Sequence, residues 1–213
     1  MKVKKKPMPM WQKIFYVISF IFLIWAFIYL GTKNYNAPQR ELTDSESFTK
    51  EYGITSQNVF KYTTAKEVLE MMNTKEALIF MAFPENKWSS KYAEILNDTA
   101  ERLGIKEIYY YNFKNDRSNN NHYYENIVKE LSSYVPYLDN DNSDIYAPTL
   151  IGVKDGNIVF YDDETSIIHG DVSIDDYWTN DKIASKMVNL GILLQKYLGE
   201  DDEKTQEWWE NRW

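Results

Sequence analysis

The stretch Ala147-Pro148-Thr149-Leu150-Ile151-Gly152-Val153-Lys154-Asp155-Gly156-Asn157-Ile158-Val159-Phe160-Tyr161 decides the fold. Two apolar, largely β-branched runs flank Asp155-Gly156. Asp-Gly between such runs predicts a tight hairpin, because a two-residue primed turn needs φ > 0 at its centre. Pro148 opens the first run. Toward the N-terminus, Ala77-Leu78-Ile79-Phe80-Met81-Ala82-Phe83 is continuously apolar between Glu76 and Pro84, the pattern of a strand covered on both faces. Ile105 to Phe113, rich in Tyr and Ile, and Asn58-Val59-Phe60-Lys61-Tyr62 complete the strand set.

Helical periods lie between these runs. Thr64-Ala65-Lys66-Glu67 forms a capping box, and Val68, Leu69, Met71 and Met72 give the following helix its apolar face. From Ser89 to Leu103, Tyr92, Ile95, Leu96, Thr99 and Leu103 recur at three- and four-residue spacing, with Gly104 as C-terminal cap. The Asn-rich stretch Asn115 to Asn121 leads into a helix near Tyr123 to Tyr134. The last helix, capped by Asn180 or Asp181, carries Ile183, Met187, Leu190, Leu193, Leu194 and Leu198 on one side. The order β-α-β-α-β-α-β-β-α predicts an α/β fold with a mixed central sheet flanked by helices.

The N-terminal part obeys a different composition. Ile14 to Thr32 contains no charge, and nineteen helical residues span roughly 28 Å, the thickness of a bilayer core. Trp11 and Tyr29 stand near its ends. Lys2, Lys4, Lys5, Lys6 and Lys13 precede the first acid, Glu41; such a lysine excess holds the N-terminus in the cytoplasm and places the chain beyond the helix outside. A cleaved signal peptide competes with this reading, but Phe27-Ile28-Tyr29-Leu30-Gly31-Thr32 is bulky where a peptidase needs small residues. No small-xxx-small motif marks the helix for self-association. The expected organisation is a basic cytoplasmic segment (1–13), a transmembrane helix (14–32), a linker (33–57), a globular extracytoplasmic domain (58–199) and an acidic, Trp-rich tail (200–213).

Charge and cysteine content exclude several functions. The chain carries −8 overall, and beyond the five leading lysines nineteen basic residues face thirty-two acidic ones. Such a body repels a phosphate backbone, so no nucleic acid is expected as partner. The sequence holds no cysteine; disulfides, thiolate metal sites and cysteine nucleophiles are therefore excluded. With His122 and His169 the only histidines, no metal site and no cofactor are expected.

The strand–helix order, the apolar strand running into a helix and the later Pro-Thr-Leu ahead of an Asp-Gly hairpin resemble thioredoxin. Ala77 to Leu96, Ile105 to Asp116 and Ala147 to Tyr161 carry the resemblance, which extends over about 58–198. Within that fold, Ile108-Tyr109-Tyr110-Tyr111-Asn112 and Pro148-Thr149-Leu150 with Lys154-Asp155-Gly156 are similar to the thioredoxin-like bacteriocin transport or maturation accessory proteins of Gram-positive bacteria. The resemblance implies a cis Ala147–Pro148 bond facing the site. It places Asn86-Lys87-Trp88-Ser89 where the Cys-x-x-Cys belongs, and Phe80 where the family keeps a buried carboxylate. Thiol–disulfide exchange needs an attacking thiolate, so this domain does not perform it.

The expected site is thus a degenerate groove of Asn86, Lys87, Trp88, Ser89, Ala147 and Pro148, with no catalytic residue. Trp88 has two readings: exposed beside Pro148 and stacking on a peptide, or folded onto its own domain. Ser89 or Ser90 is expected as the N-cap of its helix; a serine nucleophile would need a base within reach. Asp139-Asn140-Asp141-Asn142-Ser143-Asp144 has alternating oxygen ligands but lacks the Gly and Glu of a calcium loop, and reads as a solvated loop. Asn97-Asp98-Thr99 matches a glycosylation acceptor but falls within a helix. For Trp208, Trp209 and Trp213, packing on the domain, lipid contact and partner binding all stay open.

The function expected is a membrane-anchored, redox-inactive, non-enzymatic module that binds an exported peptide or a membrane protein outside the cell, in bacteriocin export or maturation. The alternatives are a structural subunit of a membrane complex and a non-thiol enzyme using Ser89 or Ser90.

Overall fold

The computed structural model describes residues 8–35, 41–55, 57–135, 144–165, 168 and 171–199. Lys2 to Lys6, most of the Asp139–Asp144 loop, His169 and the tail 200–213 lie outside the described residues. Residues 1–41 and 42–213 form two separate units.

Among its described residues the first unit holds one helix, α1 (Met10–Tyr35). Its stretch Met10–Tyr29 is long and apolar enough to cross a membrane, and none of that surface is buried by protein.

The second unit is an α/β domain. Helix α2 (Asp44–Tyr52) leads into β1 (Phe60–Tyr62), α3 (Ala65–Thr74), β2 (Ala77–Ala82), α4 (Ser89–Arg102) and β3 (Ile108–Asn112). The short α5 (Lys114–Ser118) and α6 (His122–Leu131) come next, then β4 (Thr149–Lys154), β5 (Asn157–Asp163), the single-turn α7 (Ile174–Tyr177) and α8 (Asn180–Leu198). The five strands lie in the order β1-β3-β2-β4-β5. β1, β3 and β2 run parallel, and β4 and β5 return antiparallel.

The central position of β2 explains its unbroken apolar run. Leu78, Phe80 and Ala82 face a core shared with α2, α4 and α8. Ala77, Ile79 and Met81 face a second core built on α3 and α6. Asp155 (φ 49) and Gly156 (φ 71) make the turn between β4 and β5, the positive pair that the Asp-Gly dipeptide predicts. Gly152 pairs with Phe160, and a Cβ on it would lie 2.3 Å from that ring. The missing side chain lets the ring lie across β4.

Three local expectations are corrected. Residues 33–57, expected as a linker, contain α2, closed by a Thr43–Glu46 capping box. Its only apolar anchors, Phe48 and Tyr52, are one turn apart, which is too little for a sustained period. Phe48 nevertheless stacks on Tyr52 and Phe60 at 4.2 and 4.0 Å, and the Tyr52 hydroxyl donates to that of Tyr110 at 2.9 Å. Thr179, not Asn180 or Asp181, caps α8, accepting from the Lys182 amide. Neither Ser89 nor Ser90 caps α4. Trp88 occupies the N-cap without a side-chain bond, because the chain enters through a turn in which the Ser89 amide donates to the Asn86 carbonyl at 3.1 Å. Elsewhere the Thr64–Glu67 capping box forms as its spacing predicts.

Candidate functional site

Strand register places the expected groove at one end of the sheet. Met81, near the end of β2, pairs with Thr149 at the start of β4, and Thr149 pairs with Asp163 at the end of β5. Ala82 pairs with Asn112 at the end of β3. The turn after β2, the start of α5, the approach to β4 and the exit of β5 therefore converge. In open α/β sheets this carboxyl edge is where ligands bind. The Ala147–Pro148 bond is cis.

Here a cleft of about 290 Å³ is lined by Asn86 and Ala147 together with Phe83, Arg117, Asp144 and Thr165. Pro148 is buried and does not line it. The Thr165 hydroxyl donates to the Ala147 carbonyl at 3.2 Å, and that of Thr149 to the Tyr146 carbonyl at 2.7 Å. These two bonds hold the peptide ahead of β4.

Lys87, Trp88 and Ser89 are not part of this cleft. Trp88 is 7% exposed, and its ring meets Tyr177 of α7 edge-on at 5.1 Å. The Lys87 ammonium lies 5.0 Å above the indole and donates to the Val172 carbonyl at 3.2 Å. Of its two readings, Trp88 takes the one in which it packs onto its own domain. The reason is tertiary: the segment leading into α7 folds over it, and that segment has no period to announce itself.

Ser89 is buried, and its hydroxyl has no hydrogen-bond partner among the described residues. No base therefore reaches it, and it caps no amide. Phe80, at the position of the expected family carboxylate, is buried with its ring parallel to Tyr92, 5.7 Å away.

Beneath α4 lies a polar network. Lys186 of α8, 6% exposed, is paired with Asp162 at 2.7 Å and with Glu164 at 2.6 Å. Lys182 reaches Glu164 at 3.0 Å, the Tyr177 hydroxyl donates to Glu164, and the Tyr92 hydroxyl donates to Asp162. Burial pushes the Asp162 carboxyl above its ordinary range, against the pull of Lys186. Burial would also raise Glu164, but Lys186, Tyr177 and Lys182 together outweigh it and hold that carboxyl low. A buried pair that is fully hydrogen-bonded is costly to break from one side. The readable signal was Lys186 itself, a charge inside the apolar stripe of Ile183, Met187 and Leu190.

Among the described residues no three of His, Asp and Glu form a set that could hold a cation, and Asp162 and Glu164 face ammonium groups instead. His122 is exposed at the start of α6, and Asn97 is buried in α4. No protein-family model matches the chain, and no curated protein matches it in sequence.

Proposed function

We propose that the protein is a membrane-tethered, redox-inactive thioredoxin-like module whose cleft beside Ala147–Pro148 holds an extended segment of an exported peptide or a membrane protein. The observation that carries the reading is the open cleft shared by Asn86 and Ala147 at the carboxyl edge of the sheet. The strand order β1-β3-β2-β4-β5 supports the thioredoxin-like assignment. α1 supplies the anchor, and the lysines ahead of it orient the globular domain outward. The domain works by binding and not by catalysis. The similarity of its Ile108–Asn112, Pro148–Leu150 and Lys154–Gly156 strings to bacteriocin accessory proteins supports a partner among peptides exported by that route.

The absence of cysteine makes the topology simple to test. Lys66→Cys, on the exposed face of α3, is expected to react with a membrane-impermeant maleimide in intact expressing cells; protection until lysis overturns the outward orientation. A photo-crosslinking amino acid at Asn86 is expected to form an adduct with an exported polypeptide, while the same group at Lys66 forms none. Equal labelling from both positions overturns the cleft.

A further inference from the structure

Arg117 lies in that cleft, and its surroundings set it apart. Its guanidinium carbon is 5.3 Å from the ring centroids of both Phe83 and Phe113, two rings that meet edge-to-face. A planar cation held against two aromatic faces is pre-organised and loses little freedom when it binds. Yet no carboxylate pairs with it among the described residues. The adjacent acid, Asp116, is turned away and accepts from the Tyr111 hydroxyl at 2.7 Å and the Asn121 amide at 2.8 Å. Asp144 shares the cleft wall without forming an ion pair with Arg117, and its carboxylate meets the Tyr124 hydroxyl at 3.4 Å. In a domain where acids outnumber bases so heavily, a guanidinium that faces a cleft and meets no carboxylate among the described residues is out of keeping with its surroundings.

A second cleft, of about 440 Å³, shares Arg117 and Asp144 with the first and is lined as well by Tyr124, Glu125, Val128 and Lys129. Arg117 thus lines both clefts.

We infer that Arg117 reads a carboxylate, and that the carboxylate is an internal Asp or Glu side chain of an extended partner segment. A segment that fills both clefts passes Arg117 with chain continuing on either side, which places the acid inside the segment and not at its end. The arrangement suits a guanidinium, whose forked donors match the two oxygens of a carboxylate. The acidic domain repels a segment with several acids, so the partner carries one acid in an otherwise neutral or basic stretch.

This inference rests on the cleft being a peptide site, and the test separates the two. Random linear peptides displayed on phage are selected against the full-length protein in lipid nanodiscs. Enrichment of Asp or Glu at one internal position is the expected result. The acidic peptide then binds the Arg117→Gln protein weaker by roughly tenfold or more, as loss of a charge-assisted pair requires. Its Glu→Gln counterpart binds both proteins alike, and Arg117→Lys keeps part of the affinity. Near-identical circular-dichroism melts for the two variants show that the fold is intact. Enriched peptides with no acid preference, or a preference that survives Arg117→Gln, overturn the role of Arg117 and leave the peptide site standing. Binding lost on amidating the peptide's C-terminus overturns the internal placement. No enrichment above an empty nanodisc overturns the peptide site as well.

Discussion

The turn at Trp88 and the cleft beside Ala147 occupy the same end of one sheet and differ in what lies over them. At Trp88 the chain has filled the space itself: Tyr177 stands against the indole, Lys87 bridges to Val172, and Lys186, Asp162 and Glu164 interlock beneath. At Ala147 a cleft stays open, and its Arg117 meets no carboxylate among the described residues. One half interlocks its charged groups internally and supports the fold, with the Ser89 hydroxyl left unbonded among the described residues. The other keeps a cation facing an open cleft.

Lys186→Ala gives the largest expected effect on the closed half. It strands Asp162 and Glu164 without their shared ammonium, and the loss of stability is about 4 kcal/mol in urea unfolding. A loss no larger than an exposed ion pair would show that the network is solvated. Trp88→Ala ranks next at about 3 kcal/mol, the cost of emptying a buried aromatic site. That variant reads stability, so a binding defect in it says nothing about the cleft.

Acidification probes the same network more gently. Glu164 is held below its ordinary value of 4.5, so its contribution is complete above that pH and is lost as pH falls through its lower folded value. Asp162, raised by burial, acts with opposite sign and offsets part of this loss. Removing the Glu164 contribution in Glu164→Gln flattens the acid limb of a stability–pH curve, although the substitution itself lowers stability at neutral pH. An unchanged acid limb assigns the sensitivity to other carboxylates.

Ser89→Ala is expected to raise stability by about 1 kcal/mol, because it deletes a buried hydroxyl that has no partner among the described residues. A marked loss would mean that this hydroxyl is bonded in solution. On the open half, Arg117→Gln changes the melting midpoint least. Its two ring contacts account for less than about 1 kcal/mol at a partly exposed position. A large loss would recast Arg117 as a structural residue and end the contrast between the two halves.

Much of the fold was legible locally. The run Ala77–Phe83, the Asp155-Gly156 turn and the Thr64–Glu67 box each declare themselves within seven residues, because strand burial, turn geometry and capping are short-range demands. α2 was not legible, because Phe48 and Tyr52 alone do not make a period. The site was half legible. The resemblance drew Asn86 and Ala147 together, and they share a cleft. It drew in Trp88 and Ser89 as well, which the fold buries elsewhere. Arg117, in an Asn-rich stretch with no motif, carried no local mark.

The amino-acid sequence by itself determined that no thiol chemistry is possible, that one N-terminal stretch is apolar enough to span a bilayer, and that a mixed sheet ends in a tight hairpin. Those properties arise from composition and from spacing within a few residues. Only the tertiary structure decided that Trp88 is covered and that Arg117 meets no carboxylate among the described residues. Both depend on groups brought together across the chain: Val172 is 85 positions from Lys87, and Asp116, beside Arg117 in sequence, is turned toward Tyr111 and Asn121. Charge pairing and covering are properties of packed neighbours, and sequence order does not rank them.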